Sequence, residues 1–287
     1  MQLNGSVLKK QQLILAFSGL VLLLFIYFFG NTIPPKNPEA PQAAAASKPV
    51  TAEEVISSAK KDLTASQSAA LAQLENSVVR GDVKDQQIRI FGQLANFWRD
   101  TLHRQDLYAY YLGEQAKLEN SEKNLNFAGR LLLANVLADR DPNRQTWLAT
   151  NAKELFERSL EIDPSNDSAK VSLGACYLFG NISSTPMEGI LKIKEVAERD
   201  PHNMYAWMML GLGDIKSGQY DKAIERLNNV VVHEPQNLQA IFNLAETYER
   251  KGDYTNAIKW YREAQQLIGF PEAKMELEKR IQELQSH

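Results

Sequence analysis

Only one cysteine occurs in the 287 residues, and only four histidines. A lone thiol cannot close an internal disulfide, so Cys176 gives no framework from which to infer an oxidising compartment. It sits in the apolar helical pattern "VSLGACYLF", where a small buried thiol is the expected state. His103, His202, His233 and His287 are far apart in sequence, and none stands at metal-ligand spacing from another. Missing too are a Gly-rich phosphate loop, a nucleophile elbow and a cysteine with a histidine partner. The chain is therefore read as no enzyme, with no metal and no cofactor. Excess charge is also lacking: the formal net charge is −3. That leaves no basic field to hold a phosphate backbone, and no acidic run to act as a solvating tail. Nucleic acid is not an expected partner.

What the sequence does have begins with a long apolar run. "LILAFSGLVLLLFIYFF", Leu13 to Phe29, carries no charge. With its interfacial flanks it reaches the roughly 20 residues that a membrane-spanning helix needs. Lys9 and Lys10 precede it, so the positive-inside rule places residues 1–12 in the cytoplasm, an anchor at 13–30 and the remainder across the membrane. A cleaved signal peptide is the competing reading. The apolar run exceeds the usual 7–15 residues of such a peptide's core, and small residues suited to cleavage come only at Ala43 to Ser47. Either reading exports the rest. Residues 31–50 hold five of the eleven prolines and form an extended linker, reaching roughly 50–60 Å at full stretch. Setting Lys9 and Lys10 aside leaves 30 basic residues against 35 acidic, a net charge of −5 that does not favour contact with anionic lipid.

Beyond the linker the chain repeats itself. Ala206 and Ala240, Leu210 and Leu244, Gly218 and Gly252, Tyr220 and Tyr254, Ala223 and Ala257, and Pro201 and Pro235 are each 34 residues apart. A fixed period of this length means stacked supersecondary units. Within one period, apolar residues at helical spacing build a first helix, Gly218 or Gly252 permits the turn, and a second helix runs to the proline. Each unit is a helical hairpin with one apolar face left uncovered.

These residues resemble the tetratricopeptide repeat family. In the copy 204–237 the matching positions are Trp207, Leu210, Gly211, Ala223, Leu227 and Pro235, with Asp214 where a Tyr is usual. In the copy 238–271 they are Leu244, Ala245, Tyr248, Ala257, Tyr261 and Ala264, with Ile241 in the Trp position. A third copy, 167–203, has Leu173, Gly174 and Tyr177 and about three extra residues in its turn. The expected fold is all-α: an N-terminal membrane helix, an N-terminal helical region at 51–84, degenerate hairpins at 85–166, the three repeats, and a capping helix at 272–287. Thr51 and Glu54 form a capping box that opens the folded part.

In this family the first helix of each unit lines a groove that grips a peptide or helix. The resemblance puts Val171, Ala175 and Leu178, then Tyr205, Met208, Leu212 and Ile215, then Phe242, Glu246 and Glu249 in that groove. Members that clamp a terminal carboxylate use a Lys and Asn cluster, but Phe242 and Glu246 stand there, so no such clamp is expected. The lining is mostly apolar, and either holds apolar ligands or is filled by a neighbouring helix. The layout is similar to that of anchored periplasmic tetratricopeptide proteins accompanying the bacterial Sec translocon. It implies an inner-membrane adaptor or chaperone-like scaffold for translocon subunits, a prolyl isomerase or exported polypeptides. A cytochrome c maturation scaffold presenting apocytochrome, or a structural subunit of an envelope machine, stands as the alternative.

Overall fold

The structure, a computed structural model, describes residues 50–80, 83–183 and 186–286. The anchor at 13–30, the N-terminus before it and all but the last residue of the linker lie outside the described residues. Among the described residues no helix is long and apolar enough to cross a membrane.

All regular structure among the described residues is helical: α1 Ala52–Lys60, α2 Ala65–Arg80, α3 Lys84–Leu102, α4 Gln105–Glu119, α5 Glu122–Ala138, α6 Pro142–Ile162, α7 Asp167–Phe179, α8 Met187–Arg199, α9 Met204–Lys216, α10 Tyr220–His233, α11 Leu238–Lys251, α12 Tyr254–Leu267 and α13 Pro271–Gln285. The Thr51 capping box closes both ways. The Thr51 hydroxyl accepts from the Glu54 N–H at 3.2 Å, and the Thr51 N–H donates to the Glu54 carboxylate at 2.9 Å.

A four-residue device separates the later hairpins. "DPSN", "DPHN" and "EPQN" end at Asn166, Asn203 and Asn237. The proline excludes helical backbone from the residue before it, so α6, α8 and α10 stop at Ile162, Arg199 and His233. Each asparagine then caps the next helix, its side-chain oxygen accepting from Ala169, Ala206 and Ala240 N–H at 2.9, 3.0 and 3.0 Å. Inside two of the hairpins the turn is carried by Gly218 at φ 73° and Gly252 at φ 84°, a region that costs an L side chain energy. The hairpin α7/α8 lacks such a glycine, and its longer turn passes through Asn181 at φ 54°.

Helices pair as α3/α4, α5/α6, α7/α8, α9/α10 and α11/α12, and each pair packs on the next. The first helices also touch one another in series, α5 to α7, α7 to α9 and α9 to α11, which makes them the inner row of a solenoid. The upstream core is built from bulk, with Trp98, Leu94, Leu107, Leu125, Leu132, Leu155 and Phe156 fully buried. Downstream the repeats rely on close approach. A Cβ on Gly174 would lie 2.7 Å from the Gly189 carbonyl oxygen and 2.7 Å from Ile193 Cγ1, so α7 and α8 cross backbone to backbone. The far end is closed by α13, which buries Leu277, Ile281 and Leu284 against the last hairpin.

Gly189→Ala is expected to lower thermal stability, by about 2 kcal/mol, because the rigid Gly174 backbone cannot yield to the added methyl. Gly269→Ala, with open space around it, should be neutral or slightly stabilising. Circular-dichroism melts of the two variants beside wild type check both.

Candidate functional site

The inner row does not form one continuous channel. On α7 the side chains that were expected to line it lie beneath the surface: Val171 and Ala175 are fully buried and Leu178 is 6% exposed. Leu178 packs against Gly213 of α9, where an added Cβ would sit 2.8 Å from its Cδ2. Val171 and Ala175 therefore present no face to a ligand, and Leu178 reaches only a separate hollow of about 350 Å³ beside Met187, Ile190 and Lys216. On α9, Met208 is buried, while Tyr205, Leu212 and Ile215 are half-buried against the core.

Two of the surface openings lie along the inner row. The larger is a trough of about 670 Å³ between α11 and α13, lined by Leu238, Phe242, Leu267, Ile268, Phe270 and Leu277, with Glu276 and Arg280 at its rim. Phe242 is held edge-on by Tyr261 at a centroid distance of 6.3 Å. Phe270 is 74% exposed and Leu267 41%, so the trough carries exposed apolar side chains. The cause is local. Phe270 occupies the N-cap position of α13 without making a cap hydrogen bond, in the short corner forced by Pro271.

Glu246 and Glu249, placed in the groove by the family pattern, are committed to neighbours. Glu246 accepts from Arg250 at 3.1 Å on its own helix. Glu249 accepts from the Tyr261 hydroxyl at 2.9 Å and from the Arg280 guanidinium, joining α11, α12 and α13. Burial would raise the Glu249 pKa, but those two donors outweigh it and hold the carboxyl below its usual range.

The smaller opening is a notch of about 360 Å³ where α5 and α9 meet across α7, lined by Arg130, Leu133, Ala134, Leu137, Ala138, Tyr205, Met209 and Gln239. A second hollow of about 390 Å³ shares Arg130, Tyr205, Met209 and Gln239 and extends past Met208 toward Glu234 and Asn237. The Arg130 guanidinium lies 5.3 Å from the centroid of the Tyr205 ring. Hydrogen bonding of the Tyr205 hydroxyl to Ser172 at 2.9 Å fixes that ring. Burial pushes the Tyr205 pKa up.

The signature residues serve the stacking. Leu210, Ala223, Leu244 and Ala257 are buried, and a Cβ on Gly211 would stand 3.1 Å from Leu227. Trp207 donates its indole N–H to the Pro201 carbonyl at 3.0 Å, Pro235 follows α10, and Tyr254 opens α12. Asp214, in the usual Tyr position, is 7% exposed and receives Arg226 Nη1 at 2.7 Å, binding the two helices of that hairpin. Burial raises its pKa despite that partner. Cys176 is fully buried, and burial drives its thiol far above the usual range. Among the described residues no group of three or more His, Cys, Asp or Glu is placed to hold a metal ion. His202, in the turn before α9, and His233, the last residue of α10, do come together, with ring centroids 5.7 Å apart.

Arg130, Leu133, Leu137, Gln239, Phe270 and Leu277 were not read as groove residues from the sequence. The run "RLLLANVLA" after Gly129 was the one signal, since it is more apolar than one buried helix stripe needs. Phe270 gave none.

The tetratricopeptide repeat family model matches residues 208–271. The match takes in most of α9, all of α10, α11 and α12, and the corner before α13. Among curated proteins, the CTR9 homolog of Arabidopsis thaliana is 30% identical over 116 residues, covering 39% of this chain and 11% of that protein. The mouse NatA auxiliary subunit N-alpha-acetyltransferase 16 is 29% identical over 103 residues, covering 35% of this chain and 12% of that protein. The aligned part thus spans about a tenth of these relatives. Among solved structures, the tetratricopeptide protein TTC0263 of Thermus thermophilus is similar at a TM-score of 0.46 and 17% identity, covering 71% of this chain and 100% of that one.

Glu249→Gln is expected to destabilise the chain at pH 7 by roughly 1 kcal/mol, a modest figure because Arg280 is half in solvent. A carboxylate with a lowered folded pKa adds stability above its unfolded pKa and loses it as pH falls through the folded one. The gap between variant and wild type should therefore close below about pH 4.5; a gap constant from pH 7 to pH 3 would refute the assignment.

Proposed function

We propose that this chain is a non-catalytic tetratricopeptide scaffold that holds a protein partner in the trough between α11 and α13. The single observation that carries this reading is the trough itself, with Phe270 74% exposed at its edge and Phe242 in its floor. Exposed apolar surface gathered in a concavity is what a partner helix or extended segment covers. Covering a phenyl side chain is worth about 1.5–3 kcal/mol, and Leu267, 41% exposed, adds to the same lining.

The finer part of the proposal rests on the sequence. The run Leu13–Phe29 and the preceding Lys9 and Lys10 support an inner-membrane anchor with the repeats on the periplasmic side. A proline-rich linker would then hold the trough away from the bilayer. This is the arrangement suited to an adaptor beside a secretion translocon, with translocon subunits, a prolyl isomerase or exported polypeptides as partners.

A photo-crosslinking residue at Ala273, on the exposed wall of the trough, tests the proposal in the full-length chain in native membranes. Crosslinks to translocon subunits, reduced at least about tenfold by Phe270→Glu, are the expected result. Phe270 is exposed enough for that change to leave the melting temperature almost unmoved. Crosslinks to haem-ligation or envelope-machine subunits would refute the translocon assignment, and crosslinks indifferent to Phe270→Glu would refute the trough.

A further inference from the structure

His202 and His233 stand 31 positions apart in the sequence, yet the fold sets their rings against each other, with centroids 5.7 Å apart and planes at 72°. Each is held by its own corner. The backbone of His202 is fixed on both sides: its N–H donates to the Asp200 carboxylate at 3.0 Å, and its carbonyl accepts from the Met204 N–H at 2.9 Å. His233 ends α10, and its Nδ1 lies 2.8 Å from the Asn229 carbonyl oxygen. A carbonyl only accepts, so Nδ1 carries the hydrogen and the neutral ring keeps its lone pair on Nε2. That is how a histidine is presented to a metal, one nitrogen anchored on a carbonyl and the other left to ligate. His103 makes the same bond to the Arg99 carbonyl, at 3.1 Å, but among the described residues no second imidazole ring meets it.

We infer that the His202–His233 pair binds one divalent transition-metal ion of the class that prefers imidazole, copper ahead of nickel and zinc. An ion held about 2.0–2.1 Å from one nitrogen of each ring sets the ring centres roughly 4.5–6 Å apart, and the pair already stands within that span. Both side chains are exposed, so His202 can turn a nitrogen toward Nε2 of His233 without disturbing the core. No third protein ligand completes the site among the described residues. The carboxylates nearest in the chain are engaged in the turns, Asp200 by the His202 N–H and Glu234 by the Asn237 side chain at 2.7 Å. Water takes the remaining positions, which suits an exchangeable ion and not a structural zinc, whose site is closed by four protein ligands. Nitrogen donors without thiolate favour Cu²⁺ over Ni²⁺ and Zn²⁺ and leave Mg²⁺ and Ca²⁺ unbound. Because His202 lies just before α9 and His233 at the end of α10, the bound ion ties together the two ends of one repeat. The site is separate from the trough and does not depend on it.

The test is a calorimetric titration of the full-length chain, purified in detergent micelles without a histidine tag, with Cu²⁺, Ni²⁺, Zn²⁺ and Mg²⁺ in turn. One Cu²⁺ per chain, weaker Ni²⁺ and Zn²⁺ and no Mg²⁺ is the expected result. His202→Ala and His233→Ala should each weaken Cu²⁺ binding at least about tenfold, since losing even an outer partner of a metal ligand costs that much. The double variant His103→Ala, His287→Ala should match wild type. Electron paramagnetic resonance of the Cu²⁺ form should show two coordinated imidazole nitrogens in wild type and one in His202→Ala or His233→Ala. Cu²⁺ should also raise the melting midpoint of wild type more than that of either variant. Affinity unchanged in both single variants, or lost in only one of them, would overturn the pairing. Affinity lost in the double variant would put the ion elsewhere and overturn the site, and no binding of Cu²⁺ at all would overturn the inference outright. Both side chains are exposed, so metal-free melting curves of the variants should coincide with wild type and show that they fold alike.

Discussion

Each helical hairpin in this chain has an apolar face that it cannot bury alone, and everything else in the architecture follows from covering that face. Ala206, Leu210, Ala223 and Leu227 in one unit, and Ala240, Leu244 and Ala257 in the next, are almost fully buried only because a neighbour lies against them. Such a stack has to stop somewhere without leaving an open face. Here α13 covers the last hairpin, with Leu277, Ile281 and Leu284 turned inward and a charged outer surface. The Glu249 carboxylate, shared by Tyr261 and Arg280, ties that helix to the last unit. Because α13 is a single helix entering through the Pro271 corner, it covers the last hairpin incompletely. The trough is what it leaves open.

The parts of this fold written in local chemistry were legible from the residues. The 34-residue spacing of Pro201 with Pro235 and of Gly218 with Gly252 marks chain reversals that backbone sterics demand. The Thr51 capping box needs no tertiary context either. The capping role of Asn166, Asn203 and Asn237 emerges only when their side-chain oxygens are seen on the next helix. Upstream the family pattern fades, because α3 to α6 fill their interior with Trp98, Trp147 and Phe156 and do not need the small residues of the later repeats at the same positions.

Groove residues were less legible, for a physical reason. Assigning Val171, Leu178 and Phe242 to one lining assumes that successive first helices sit at the same depth. Depth depends on the side chains between neighbouring helices, and no periodicity in one sequence reports it. Arg130 and Tyr205 are 75 positions apart in the chain, and Phe270 belongs to a corner between helices; their places in the two openings exist only in three dimensions.

What lowers α7 can be read from its own composition. Gly174 admits the α8 backbone on one side, Val171 and Ala175 are small or short, and every residue from Val171 to Cys176 is buried. A first helix so thin leaves its neighbours free to approach across it, and they do: the α5 guanidinium reaches the α9 ring, with the α7 Ser172 hydroxyl beneath it. Bulk at Ala175 would push α5 and α9 apart, and with them Arg130 and Tyr205. The same small residues that let the repeats pack closely therefore divide the inner surface into a charged notch upstream and an apolar trough downstream.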